Sequence, residues 1–234
     1  MGKGKLARFA DNDRFENVFQ PSYEILINQQ FEQKGNWNNN FFQNQNPITL
    51  EIGCGRGEYS VNLASKYPER NFIGVDIKGA RLWAGAKFAT NNNLKNVGFV
   101  RTRIEFTDSC FAKNEVDEIW ITFPDPQLKD RFAKKRLTSS RFLNKYRNFL
   151  KKDGIVHLKT DSQELHEYTL QILKHNNLEI IEHTNNLYNS NLVSDILSIK
   201  THYEELFSKQ GKTITYIKFK IDSEKVIEEI PEEK

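Results

Sequence analysis

From Ile48 onward, short apolar runs alternate with stretches whose apolar residues recur at helical spacing. ITLEI (48–52) precedes a helix predicted from about Glu58 to Lys66, and NFIGVDI (71–77) precedes one carrying Ala80, Trp83, Ala84 and Phe88. VGFVR (97–101) and VDEIWITF (116–123) read as strands. They are followed by a helix from about Thr138 with Phe142, Tyr146, Phe149 and Leu150, and then by IVHLKT (155–160). A helix holding Leu165, Tyr168, Ile172 and Leu173 leads to LEII (178–181) and to a last strand, TITYIKF (213–219). Strand and helix in alternation predict an α/β fold: a Rossmann-like, doubly wound, mostly parallel sheet with helices on both faces. Ligands of such sheets bind beyond the carboxyl ends of the strands, so the residues just after each strand are the candidates for function.

The first strand runs into Glu51-Ile52-Gly53-Cys54-Gly55-Arg56-Gly57. Gly53, Gly55 and Gly57 let the backbone approach a nucleoside with no Cβ in the way. Their G-x-G-x-G spacing departs from the dinucleotide fingerprint G-x-G-x-x-G. A carboxylate at Glu51 would repel a pyrophosphate and attract a sulfonium and an ammonium, so the loop favours S-adenosylmethionine over a nicotinamide dinucleotide. Asp76, at the end of the second strand, is placed to accept from ribose hydroxyls.

Composition narrows the classes. With a hydrophobic fraction of 38% and a mean hydropathy of −0.67, no run nears the roughly 20 apolar residues of a membrane span. No secretory signal or myristoylation pattern opens the chain, so a cytoplasmic protein is expected. Cys54 and Cys110 are too few for a disulfide framework, and the five histidines form no ligand cluster, so no metal is expected. The net charge of +3 hides an uneven distribution. Residues 222–234 carry six acidic side chains against Lys225 and Lys234, whereas residues 129–152 carry ten basic ones against Asp130 alone. Such a cationic segment suits a phosphate-rich partner. Three parts are expected: a basic arm and Asn-rich loop (1–46), the main domain (47–221) and an acidic tail (222–234), the tail being a candidate disordered appendage. Lys3, Lys5, Arg8 and Arg14 make the arm a candidate RNA contact that orders on binding.

The fourth strand ends in Pro124-Asp125-Pro126, where two prolines restrict the backbone around a carboxylate. LEIGCGRGEYS, GVDIKGAR, FPDPQLKDRFAKKRLT, KTD and THYEELF, in this order, closely resemble the bacterial tRNA (guanine-N7-)-methyltransferases over about residues 48–220. The resemblance implies a class I methyltransferase fold, S-adenosylmethionine as methyl donor and a guanosine in the tRNA variable loop as target. It implies cofactor contacts from Glu51 and Asp76, with Asp125 at the junction of cofactor and base. Lys129 resembles the family's substrate lysine, Arg131 to Arg136 its RNA-contacting segment, Asp161 a substrate aspartate, and Thr201, His202, Tyr203 and Glu204 a substrate motif. Gln127 stands where the family usually has Trp, and Arg103 where it usually has an acid, so the adenine side is assigned to Ile104 and Glu105.

Guanine N7 bears an in-plane lone pair and no proton, so attack on a sulfonium methyl needs no general base. A fixed carboxylate, Asp125, suits the charge that develops on the purine. Asp125 and Asp161 can also accept N1–H and N2–H of guanine and so reject adenine. Lys134, Lys135 and Arg136 suit phosphates better than base edges. Asp161 with Glu164, and Thr201 with Glu204, also read as capping boxes. The rivals are a class I methyltransferase for another RNA, a small molecule or a protein, a nicotinamide-dependent oxidoreductase, and a non-catalytic RNA-binding relative. Oligomeric state, monomer or homodimer, is open at this stage.

Overall fold

A computed structural model describes residues 3–222 and 224–231, apart from the side chains of Lys3 and Asp130. Glu232, Glu233 and Lys234 of the acidic tail therefore lie outside the described residues. The strands are β1 (Val18–Phe19), β2 (Ile48–Ile52), β3 (Asn71–Val75), β4 (Val97–Val100), β5 (Val116–Thr122), β6 (Leu150–Thr160), β7 (Ile180–Thr184) and β8 (Thr215–Lys220). The α-helices are α1 (Lys3–Asn12), α2 (Tyr23–Ile27), α3 (Glu58–Lys66), α4 (Gly79–Asn91), α5 (Thr107–Cys110), α6 (Ser140–Tyr146), α7 (Gln163–His175) and α8 (His202–Lys209). The strands form one sheet in the order β1-β4-β3-β2-β5-β6-β8-β7. All neighbours are parallel except β8, which runs antiparallel to both β6 and β7.

Every residue of β2 and β3 is buried, as expected of central parallel strands covered on both faces. One face of the sheet packs Leu50, Ile52 and Val75 against α6 and α7 through Phe142, Tyr146, Leu165 and Ile172. The other packs Phe72 and Phe99 against α3 and α4 through Leu63, Leu82 and Ala86. Order reverses between β2 and β5, and both strands point their carboxyl ends at one edge of the domain.

Three expectations are corrected. The helix expected to reach Phe149 and Leu150 ends at Tyr146, because Leu150 pairs with Val116 and opens β6. The spacing of Phe142, Tyr146 and Phe149 suits a helix, and strand pairing overrides it. Residues 1–46 read as an arm and a separating loop, but β1 joins the sheet beside β4, and Trp37 is fully buried and donates to the Cys110 carbonyl at 3.0 Å. Trp37 belongs to a π-helical turn, Trp37–Phe42, within the stretch that reads as Asn-rich. The α1 helix is folded onto α4: Trp83 donates to Asp11 at 2.8 Å, Asn12 donates to the Gly79 carbonyl at 2.9 Å, and Arg8 lies over the Trp83 ring.

The third correction concerns the tail. Ile227 is 3% exposed, and the side-chain amides of Asn144 and Asn176 each donate to the carbonyl and accept from the N–H of one tail residue, Ile227 and Glu228 respectively, which lays this segment along α6 and α7. Glu229 accepts from the Tyr168 hydroxyl at 2.7 Å and from the Ser140 hydroxyl at 2.8 Å. The described part of the tail is a docked strap, because its alternation of Ile with Glu gives it apolar anchors that a count of charges conceals.

Candidate functional site

Beyond the carboxyl ends of β2, β3, β5 and β6 lies a cleft of about 500 Å³. Its floor is the glycine loop between β2 and α3. Gly53 and Gly55 both have positive φ, and space around Gly55 is open enough that a Cβ there would meet nothing within 4 Å. Gly57, also at positive φ, has no such room: a Cβ would lie 2.5 Å from the Phe99 ring. It seats the loop and does not line the cleft.

Glu51 reaches the cleft floor at 3% exposure. It accepts from the Ser60 backbone N–H at 3.0 Å, the Ser60 hydroxyl at 2.5 Å and the Thr122 hydroxyl at 2.8 Å. Burial pushes its carboxyl up to about 7, because the hydroxyl and amide donors only partly offset the loss of water, and Asp76 adds repulsion. Asp76 accepts from the Gly55 N–H at 2.9 Å and the Lys78 N–H at 2.7 Å, tying the glycine loop to the start of α4. Cys54 is buried and its thiol is pushed well up, first by burial and then by Glu51, which makes it inert as a nucleophile.

Asp125 is exposed on the cleft wall and accepts from the Gln127 N–H at 3.1 Å. Phe123 and Gln127, two residues to either side, both sit in the left-handed region at φ 49° and 48°. Non-glycine residues adopt that conformation at a cost, so this loop stores strain where the chemistry is expected. Gln127, at the position where the resemblance expects Trp, spends its carbonyl on Arg136 at 3.3 Å.

Asp161 also lines the cleft and pairs with Lys212 at 2.5 Å. It does not cap α7. Ser162 does, accepting from the Leu165 N–H at 3.1 Å. Thr201 caps α8 as expected, accepting from the Glu204 N–H at 3.2 Å, and both Thr201 and Tyr203 line the cleft. Arg81 lies over the Tyr203 ring at 5.7 Å, bringing α4 and α8 together across the opening.

Several expected site residues lie elsewhere. Glu204 is fully buried, paired with the fully buried Lys159 at 2.8 Å and bonded by the Tyr188 hydroxyl, so it cannot touch a ligand in this geometry. Lys159 also donates to the carbonyls of Leu197 and Ile199. The pair thus pins the chain from Tyr188 to α8 over the end of β6. His202 is exposed outside the cleft, and its backbone N–H is held by Glu58 at 2.7 Å. Ile104 and Glu105 do not line the cleft; Glu105 faces Arg141 at 3.9 Å.

The cationic segment splits in two. Lys129, Arg131, Lys134 and Lys135 are exposed on the loop after β5, the first just beyond Asp125. Arg136 is half-buried and lies over the Tyr168 ring at 4.3 Å, which makes it scaffold for the loop. Lys145 and Lys151 are spent on Asp108 and Asp117 at 3.0 and 2.6 Å, and Lys151 sits at the amino end of β6, the edge opposite the cleft.

Sequence reasoning missed Ser60, Thr122, Lys159 and Lys212. Only Lys159 left a signal: a charge closing the apolar run of IVHLKT. Thr122 and Lys212 act through contacts between segments far apart in the chain, and Ser60 reaches back from the first turn of α3 to Glu51.

Sheet order, glycine loop and acidic cleft define a class I methyltransferase fold. It is similar to the crystal structure of the 16S rRNA methyltransferase KamB, with a TM-score of 0.60 at 12% identity over 78% of this chain and 91% of that one. It is also similar to a 30S ribosomal A1408 methyltransferase from an uncultured bacterium, with a TM-score of 0.54 at 19% identity over 78% and 91%. A family model described as "Putative methyltransferase" matches residues 45–217. A tRNA (guanine-N(7)-)-methyltransferase of Christiangramia forsetii is 54% identical over 220 residues, covering 94% of this chain and 98% of that relative. Another, from Bacteroides thetaiotaomicron, is 50% identical over 229 residues, covering 98% and 90%. The chain belongs to the tRNA (guanine-N(7)-)-methyltransferase family.

Proposed function

We propose that this chain methylates N7 of a guanosine in the variable loop of tRNA, with S-adenosylmethionine as donor. The observation that carries the reading is the convergence of Glu51, Asp76, Asp125 and Asp161 on one cleft. The residues present fit the donor: open backbone at Gly55, a carboxyl at Glu51 that ionises near neutrality, and Asp76 held by two amides with lone pairs to spare. When bound there, the donor supplies an electrophilic methyl group on a sulfonium. Glu51 and Asp76 orient it. Asp125 and Asp161 hold the purine so that N7 faces the methyl, and Asp125 stabilises the positive charge that arrives on the ring. Such alignment can be worth on the order of 7 to 11 kcal/mol of the barrier.

Lys129, Arg131, Lys134 and Lys135 meet the phosphates, fixing register without reading sequence. Thr201 and Tyr203 complete the wall against the base. The activity belongs with tRNA in the cytoplasm. Among the described residues no helix is long and apolar enough to cross a membrane, and no cluster of three or more His, Cys, Asp or Glu could hold a metal.

Incubation with labelled donor and unmodified tRNA, followed by digestion to nucleosides, tests the reading; a single N7-methylguanosine peak is expected. Label on any other nucleoside, or none, overturns it. Asp125→Ala should abolish turnover while weakening donor binding far less than Glu51→Ala.

A further inference from the structure

Beside the cleft lies a second hollow of about 400 Å³. Both are lined by Pro126, Asp161 and Lys212, so the Asp161–Lys212 pair stands on the wall they share. Lys212 precedes β8, and its ammonium is fixed from two sides, 2.5 Å from the Asp161 carboxylate and 4.5 Å over the Phe207 ring. It remains 45% exposed. An ammonium has three donors, and one of them is spent on Asp161. Asp161 is bound there through Oδ2, which leaves Oδ1 as a second acceptor. A donor therefore lies directly beside an acceptor at the boundary between the two hollows.

Adjacent donor and acceptor form a base-reading pattern. The Watson–Crick edge of guanine offers O6 as acceptor next to N1–H as donor, and adenine offers the reverse order. Leu128, 57% exposed, and Pro126 supply an apolar flank on which a purine can lie.

We infer that Lys212 is a specificity-determining residue: its ammonium donates to O6 of the target guanine while Asp161 accepts N1–H. The inference rests on the guanine-N7 reading and adds to it a residue that no motif pointed to. Adenine places its N6 amino group against the ammonium and its bare N1 against the carboxylate, two repulsive contacts in place of two bonds. A guanine bound this way keeps N7, next to O6 on the far side from N1, free to face the methyl.

The test compares two tRNA transcripts, one with guanine and one with 2-aminopurine at the target position. The analogue retains N7 but lacks O6 and N1–H. Rates of N7 methylation are measured for the wild-type chain, Lys212→Met and Lys212→Arg, with donor affinity from calorimetry as the check on folding. The wild type should prefer guanine by on the order of 100-fold in kcat/KM. In Lys212→Met that preference should shrink at least about tenfold with donor affinity unchanged, and Lys212→Arg should restore most of it. A merely structural role for Lys212 lowers both transcripts alike, and an undiminished preference in Lys212→Met overturns the inference. If the wild type forms no N7-methylguanosine on the guanine transcript, the guanine-N7 reading itself has failed, a different outcome from loss of the preference alone. Should Lys212→Met fail to bind the donor, Lys212→Gln, which keeps an N–H donor but no charge, takes its place and should retain part of the preference.

Discussion

At the end of β2 a carboxyl group sits with both oxygens bonded by Ser60 and Thr122 and still titrates near neutrality. Desolvation outweighs the hydrogen bonds. Because the folded-state value is raised to about 7, the protonated folded form holds its proton where the unfolded chain has lost it. The contribution of Glu51 to stability is therefore complete below the ordinary carboxylate range and is lost as pH rises through about 7, a loss on the order of 3 kcal/mol. Glu51→Gln should flatten that limb. Chemical denaturation at about pH 5 and about pH 8 should show the variant gaining on the wild type only at the higher pH, and equal gains at both would remove Glu51 as the cause. The same ionisation governs ligand binding. A cationic donor favours the charged carboxylate, so its affinity should rise with pH up to about 7 and level off above it. Calorimetry in two buffers of different ionisation enthalpy should show proton release, and Glu51→Gln should release none. The place of Glu51 was legible from the glycines that follow it. Its titration was not, because Ser60 and Thr122 come from α3 and β5.

Among the elements, α8 shows how a buried pair shapes a site it does not enter. Lys159 at the end of β6 and Glu204 in the first turn of α8 are both fully buried, and burial lowers the pKa of Lys159 while Glu204 opposes the shift. Glu204→Ala leaves the buried Lys159 ammonium without its counter-charge, held only by two carbonyls, and should cost about 3 to 5 kcal/mol in urea unfolding. Lys159→Met combined with Glu204→Leu removes both charges and should recover most of that loss. If Glu204→Ala unfolds at the wild-type midpoint, the pair does not anchor the helix. Thr201 and Glu204 read in the sequence as a cap first and as ligand contacts second, the two being compatible; the hydroxyl does cap α8 and still lines the cleft, whereas the carboxylate turns inward. The strands β2 and β5 were legible because their apolar runs are unbroken, and α3 because glycines mark its start. The π-helical turn at Trp37 was hidden by the asparagines around it. Trp37 and Phe42 bury together with the half-buried Phe41 packed against them, and no period in the sequence announces that.

For the whole molecule, the sheet decides which charges can act together. Ten basic residues between 129 and 152 look like one patch on paper. Folding sends the chain through α6 and back to the start of β6, so Lys129 to Lys135 flank the cleft while Lys151 and Lys152 stand at the opposite edge. The fold class was legible from alternation alone, but this division was not, since it depends on where the chain reverses. If tRNA seats its target guanosine in the cleft, only the first group neutralises phosphates. Each phosphate deprived of its cationic partner should reduce the slope of log affinity against log salt by about 0.7 to 0.9. Alanine at Lys129, Arg131, Lys134 and Lys135 together should therefore flatten the slope by about 3, whereas Lys151→Ala with Lys152→Ala should leave it unchanged. Filter binding over a range of salt concentrations reads both. Equal flattening by the two sets means that RNA responds to net charge and is not seated at the carboxyl edge. In that case Asp125 and Asp161 lose the base they are arranged to receive.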